Sequence, residues 1–141
     1  MLPTEALALN FWGLDLCRGV MDLSNNHAAY CFLIVEHQHD IEFIRKQALS
    51  LIAAGCRNLS FYGKEQDTWH FEADRADIQM YPDMETVALT SGFDDLDDFI
   101  HELICAITAR PIVPYSTYLI YDDREIYAEV LKRLRIAGKI V

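Results

Sequence analysis

The segment from Ala28 to Gly55 reads AAYCFLIVEHQHDIEFIRKQALSLIAAG and contains two different hydrophobic patterns. Its first nine residues are an almost unbroken apolar run, which is typical of a strand covered on both faces. Apolar residues then recur at helical spacing from Ile41 to Ile52, with Asp40 as the N-cap and Gly55 as the C-terminal stop. The segment therefore predicts a buried strand followed by an amphipathic helix.

The same strand-then-helix unit recurs three more times along the chain. The predicted strands cover residues 57–63, 85–91 and 115–123, and each is followed by a segment of helical character, of which the second is the least regular. Alternating strands and helices favour parallel pairing, because each helix returns the chain to the same end of the sheet. We therefore predict an α/β fold, a small three-layer sandwich whose mainly parallel four-stranded sheet, in the order 2-1-3-4, has helices on both faces.

Residues 1–27 precede the first predicted strand. Leu7, Phe11, Leu14 and Met21 are spaced to share one helical face, which predicts a partly helical N-terminal arm. Because Phe11 and Trp12 are costly to expose, we expect the arm to pack on the domain or on a second copy in a homo-oligomer. The 141 residues are 52% hydrophobic, which predicts one domain, 1–141, with its own core.

Cysteine usage and the N-terminus bear on the compartment. There is no Cys-x-x-Cys pair, and Cys31, Cys56 and Cys105 lie in apolar runs, which is typical of reduced, buried thiols in the cytosol. The N-terminus lacks the basic start and unbroken apolar stretch of a secretory signal, and no run reaches the roughly 18 apolar residues of a membrane span. These patterns predict a cytoplasmic protein that does not enter a membrane.

Charge is divided unevenly along the chain. The formal net charge is −10, yet the 38 residues from Glu65 to Glu102 contain twelve acids and a single base, Arg75, for a net charge of −11. Sequence-independent nucleic-acid binding relies on lysine and arginine against phosphates, so this composition excludes it as a function class. The acidic segment favours a cationic partner.

Acidic residues are also concentrated where the predicted strands end. In a doubly wound sheet, ligands bind outside the carboxyl ends of the strands, at the point where the strand order reverses. With the order 2-1-3-4, the loops after the first and third strands flank that point. The acids expected to meet along this edge are Glu36, Asp40, Asp94, Asp95, Asp122 and Asp123.

Residues 91–103, SGFDDLDDFIHEL, have a local interpretation. Asp94 and Asp97 have the spacing of an N-cap and a third-position acid, an arrangement like the capping box. Asp95, Asp98 and Glu102 then form a solvated face. Capping needs only one or two acids, however, and like charges at three- and four-residue spacing repel each other by a few tenths of a kcal/mol per pair.

A divalent cation is the second interpretation. Carboxylates at strand ends are a common source of magnesium ligands, and Glu36 with Asp122 and Asp123 could support phosphate chemistry. His37 and His39, on one side of an extended segment, are a weaker signal for a transition metal. No glycine-rich phosphate loop, nucleotide motif or nucleophile elbow accompanies these residues.

A basic protein partner is the third interpretation. A negative surface speeds the encounter with such a partner, while aromatic and apolar anchors supply affinity. Trp69, in DTWHFEAD, either contacts a partner or anchors its own segment to the sheet. The predicted partner-binding residues are Asp94, Asp95, Asp98, Glu102, Asp122, Asp123, Trp69 and Phe93.

The stretches AAGCRNLSFYG, WHFEAD, ETVALTSGFDDLDDFI and TYLIYDD resemble a family of small uncharacterised bacterial α/β domains, over about residues 28–123. That resemblance implies an α/β fold and no particular chemistry. The small size, acidity and lack of catalytic motifs are also similar to bacterial immunity proteins, including those of contact-dependent growth inhibition systems. These neutralise a cognate toxin, often a basic nuclease, so the second resemblance implies a partner class and transfers no residue.

The sequence favours a non-catalytic, acidic protein-binding module of the immunity or antitoxin type, which neutralises a basic toxin by direct binding. It predicts no catalytic residue, no metal site and no cofactor. Two alternatives stay open: a divalent-metal-dependent enzyme of phosphate chemistry at the strand ends, and a homo-oligomeric structural or regulatory domain.

Overall fold

A computed structural model of the chain describes residues 4–18, 28–83, 87–109 and 116–141. Within these residues there are six strands: β1 (Thr4–Ala8), β2 (Phe11–Asp15), β3 (Ala28–Ile34), β4 (Asn58–Tyr62), β5 (Leu89–Phe93) and β6 (Ser116–Tyr121). There are four α-helices, α1 (Ile41–Ala53), α2 (Gln66–Met80), α3 (Leu96–Ala109) and α4 (Arg124–Ile136), and a 3-10 turn at Leu16–Arg18. None of the described helices combines the length and apolarity needed to cross a bilayer.

The strands form one sheet in the order β1-β2-β6-β3-β4-β5. Every neighbouring pair is parallel except β1 and β2, which form an antiparallel hairpin. The α/β class is therefore confirmed, but the sheet is six-stranded and mixed instead of four-stranded. The order predicted for the four central strands is also wrong, since β5 pairs with β4 and β6 crosses over to pair with β3.

The helices cover the two faces of the sheet in pairs. Apolar side chains of α1 and α2 pack in one buried layer, and those of α3 and α4 pack in a second layer on the opposite face. Right-handed crossovers whose helices lie on the same face carry the chain in the same direction across the sheet. The connections through α1 and α2 therefore lead outward from β3 to β4 and then to β5. The reversal occurs only after α3, which places β6 on the other side of β3.

The N-terminal arm is a β-hairpin in its described part, so the predicted helix is wrong there. Phe11 is buried in the layer under α3 and α4, while Leu14 and Leu16 are buried in the layer under α1 and α2. Strand alternation sends residues three apart to opposite faces of a sheet, whereas a helix would put them on one face. Met21 lies outside the described residues.

Two of the four cysteines are joined. Cys31 in β3 and Cys56 just before β4 form a buried disulfide, with their Cα atoms 6.5 Å apart. The expectation of reduced thiols is therefore wrong for this pair, which adjacent strands bring within disulfide range. Cys17 and Cys105 are free and exposed, so the expected burial of Cys105 is also wrong. Its apolar neighbours Leu103 and Ile107 face the core instead.

Candidate functional site

The strand order reverses between β3 and β6, and their carboxyl ends meet there. The loops at this point are residues 35–40 after β3 and residues 122–123 after β6. Asp94 and Asp95, which were predicted to join this crevice, instead follow β5 at the edge of the sheet. The strand-end acids therefore divide into two separate groups.

Asp122 connects the two loops at the reversal point. Its side chain is fully buried, and its carboxylate accepts hydrogen bonds from the backbone N–H groups of Glu36 (2.9 Å) and His37 (3.0 Å). The same carboxylate lies 2.9 Å from Nε2 of His39, whose ring stacks on Phe43. These contacts fix the loop after β3 to the end of β6.

Asp123 caps helix α4. Its Oδ1 accepts the backbone N–H of Ile126 at 2.9 Å, and its Oδ2 lies 3.0 Å from Nε2 of His37. The hydrogen bond from the Ile126 N–H, with a smaller contribution from His37, holds the pKa of Asp123 below its ordinary value. The two predicted metal-ligand histidines thus each face a carboxylate of their own chain.

We expect Asp123→Asn to remove part of the acid sensitivity of the fold. Because the pKa of Asp123 is lowered on folding, its ionised form adds stability above the ordinary value of 3.8, and that contribution is lost as pH falls through the lower folded pKa. Asparagine keeps an oxygen for the Ile126 N–H but has no charge. Urea unfolding should give the wild type a larger free energy of unfolding than Asp123→Asn near neutral pH, and this difference should shrink as the pH falls.

Asp67→Asn is the matched control for this titration, because Asp67 is exposed in the first turn of α2. The difference in unfolding free energy between the wild type and this control should vary less with pH. A wild-type advantage over Asp123→Asn that stays constant down to the acid transition would contradict the assigned role.

Two further acids at this end of the sheet, Glu36 and Asp15, also bond their own chain, whereas the predicted acid Asp40 is exposed and makes no side-chain capping bond. Glu36 accepts the backbone N–H of Lys64 at 3.0 Å, and Asp15 accepts the N–H of Cys17 and an N–H of Arg124. Although Cys17 is exposed, desolvation by nearby protein atoms, and next the charge of Asp15, raise the pKa of its thiol, which disfavours the reactive thiolate. Among the described residues, no group of three or more histidine, cysteine or acidic side chains is arranged to hold a metal ion.

The second group of acids lies on α3. We call the exposed residues Asp94, Asp95, Asp98 and Glu102 the acidic face. Asp95, not Asp94, is in the capping position, because α3 begins at Leu96 and Oδ1 of Asp95 accepts the N–H of Asp97 at 2.8 Å. The predicted cap is therefore displaced by one residue.

Other acids near α3 are paired within the chain. Asp97 forms an ion pair with Arg133 of α4, and Arg133 also bonds Glu129, so both carboxylates raise the pKa of the guanidinium. Asp94 accepts a neutral hydrogen bond from Gln66 at 3.2 Å. In the described part of the chain, Asp98 and Glu102 have no ion-pair partner, so their charges face solvent uncompensated.

The acidic face lies beside an edge of the sheet. Among the described strands, β5 pairs only with β4, and its Leu89 is 66% exposed. The Leu89 N–H bonds the Arg57 carbonyl in the neighbouring chain segment, so the backbone groups of Thr90 and Gly92 point to the open side. Phe93 is half-buried and packs edge-to-face on Phe99.

The predicted partner-binding residues therefore lie in three places. Asp94, Asp95, Asp98 and Glu102 form one exposed surface with Phe93 at its base, whereas Asp122 and Asp123 belong to the reversal point. Trp69 is fully buried in the layer under α1 and α2, so it anchors α2 to its own sheet. No prediction covered the polar side chains of β4 that face α3, although Asn58 and Ser60 alternate with Leu59 and Phe61.

No protein-family model matches this chain, and no curated protein matches it in sequence.

Proposed function

We propose that this chain is a non-catalytic binding protein whose acidic face engages a basic protein, in the manner of an immunity or antitoxin protein that neutralises a toxin. The observation that carries the proposal is that Asp98 and Glu102 of α3 are exposed and have no ion-pair partner among the described residues. Asp98 lies three residues after Asp95 and four before Glu102, so these charges repel within the helix. A cationic surface would convert this unfavourable arrangement into attraction.

Exposed apolar side chains, which a protein interface needs in addition to charge, lie beside the acidic face. Leu89 and Val87 are exposed apolar residues at the edge of the sheet, and Leu89 lines the same cavity as Glu102. Long-range attraction would speed the encounter, while these apolar groups would be buried in the complex. The fold would act as a rigid support for this surface.

The strand-end alternative, a metal-dependent enzyme, has no comparable support. Its candidate ligands Asp122, Asp123 and Glu36 each accept backbone hydrogen bonds from their own chain. The homo-oligomer alternative rested on the cost of exposing Phe11 and Trp12 in the N-terminal arm. Phe11 is buried inside the domain, so it no longer supports this alternative.

A double charge reversal tests the proposal. We expect Asp94→Lys with Asp98→Lys to lower the association rate with the captured partner about 10-fold or more at low ionic strength, and to weaken its salt dependence. Asp95 is left intact because it caps α3. The partner would be captured from a lysate of the source organism, identified by mass spectrometry, and mixed with each variant in a stopped-flow instrument.

The matched control reverses two exposed acids on the opposite layer, Asp40→Lys with Asp67→Lys, which changes the net charge by the same amount. Asp40 makes no side-chain capping bond. If the partner is a toxin, co-expression of the wild type or the control should relieve its growth inhibition, and the α3 variant should relieve it less. Equal association rates for all three proteins would refute the proposed surface.

A further inference from the structure

A cavity of about 310 Å³ lies between α3 and the part of the sheet formed by β3, β4 and β5. Aromatic, hydroxyl, amide and carboxylate groups line it together: Tyr30, Phe32, Asn58, Ser60, Ser91 and Glu102. No lysine, arginine or histidine is among its described lining residues. The cavity therefore offers hydrogen-bond acceptors and one negative charge.

The floor of this cavity is formed by the sheet and includes the polar residues Asn58, Ser60 and Ser91, which is unusual for a part of a sheet that lies under a helix. A sheet face that a helix covers normally carries apolar side chains. Here Ser60 is only 8% exposed, and its hydroxyl makes no hydrogen bond to the described residues. Ser60 Oγ is not among the fully buried polar atoms that lack a hydrogen bond, so it is accessible from the cavity and available to a ligand there. The small polar residues at Ser60 and Ser91 also leave the space that a larger apolar side chain would fill.

We infer that this cavity receives an arginine side chain of the partner, an inference that rests on the proposed function. A guanidinium group presents several N–H donors in one plane, which suits a carboxylate together with hydroxyl and amide oxygens. The aromatic walls suit the flat face of the cation and its aliphatic stem. A neutral or anionic ligand would gain less from Glu102.

The acidic face leads to the mouth of the cavity. Glu102 belongs to both, and Asp98 lies one helical turn before it on α3. Carboxylates along this path would attract a cationic side chain before it enters. Leu89, exposed on the opposite rim, would contact the partner's chain around the inserted residue. The arrangement is that of a central anchor within a polar rim.

The inference can be tested without the partner. We expect N-acetyl-arginine methylamide to cause saturable NMR shifts of the Ser60, Ser91 and Glu102 amides, with a dissociation constant on the order of 1 mM, as befits one isolated side chain. The citrulline analogue has nearly the same shape but no charge, and it should bind about 10-fold more weakly or not at all. Glu102→Gln should weaken binding of the arginine amide by about 10-fold, and Glu125→Gln on α4 should not change it.

Filling the cavity is the second arm of the test. Ser60→Val should abolish the saturable shifts while the circular dichroism spectrum stays that of the wild type. Ser91→Val, at an exposed position of the same floor, serves the same purpose if Ser60→Val does not fold. Absence of saturable shifts in the wild type, or equal affinity for the citrulline analogue, would overturn the inference.

The two proposals can fail separately. Asp94→Lys with Asp98→Lys should slow partner association yet still bind the arginine amide at high salt, because neither residue lines the cavity. If Ser60→Val and Ser91→Val both bind the partner with wild-type affinity, the cavity is not used and the acidic face stands alone. If the charge reversal has no effect on the partner, the proposed function fails even where the amide binds.

Discussion

Asp122→Ala is expected to lower the free energy of unfolding by about 3–5 kcal/mol, a large fraction of the stability of a typical domain. The substitution removes the acceptor for the backbone N–H groups of Glu36 and His37 and leaves His39 without its carboxylate. The partly buried Glu36 N–H keeps part of its desolvation penalty when it loses its acceptor, whereas the more exposed His37 N–H can bond water. Urea unfolding, followed by tryptophan fluorescence and far-UV circular dichroism, measures the effect.

Asp95→Ala is the control for this prediction, since it removes an aspartate that also follows a strand and bonds one backbone N–H. The control should lose about 1 kcal/mol, the usual value of an exposed N-cap. A loss at Asp122 no larger than that at Asp95 would show that the reversal point does not depend on this carboxylate.

Trp69→Ala is expected to lower the free energy of unfolding by about 3–5 kcal/mol, because it removes a fully buried side chain and leaves a cavity between α2 and the sheet. Phe71→Ala is the matched control on the same helix. Phe71 is 65% exposed, so its removal should change the unfolding free energy by less than about 0.5 kcal/mol.

The comparison of the two aromatic variants also decides between the interpretations of Trp69. If Trp69→Ala lowers the free energy of unfolding as little as Phe71→Ala does, the indole lies at the surface and is again a candidate for partner binding. A large loss agrees with its role as the anchor of α2.

Hydrophobic periodicity predicted most of the individual elements. The run before Glu36 forms β3, and α1 lies between the predicted cap Asp40 and the predicted stop Gly55, whose φ of 95° suits glycine. Periodicity is a local property, however, and all four units look alike at that level. Nothing in the sequence marks α3 as the connection that reverses direction, so the strand order could not be obtained from pattern alone.

The two groups of strand-end acids show why the site was only partly predictable. Asp95 and Asp122 both follow a strand and precede a helix, and the sequence around them gives no reason to treat them differently. Their environments differ because β6 lies next to β3, whereas β5 lies at the edge. The exposed face of α3 needed only helical spacing and was predictable, while the burial of Asp122 depends on strand order.

The polar face of β4 carried a readable signal that was not used. Asn58 and Ser60 alternate with Leu59 and Phe61, which is the pattern of a strand with one apolar and one polar face. Gly92 and Phe93 follow the end of the third predicted strand, 85–91, yet both lie within β5. The predicted order 2-1-3-4 did not pair this strand with β4, so the position of Ser91 opposite Ser60 in the cavity floor could not be recognised.

Among the described strands, β5 is paired on one side only, and this has a consequence for the behaviour of the protein at high concentration. An unpaired strand is a template on which a second copy can add its own strand and begin aggregation. Two copies that approach through β5 bring their acidic faces together, and mutual repulsion opposes the contact. The carboxylates of α3 therefore help to keep the protein dispersed, and screening them with salt or protonating them with acid removes that protection.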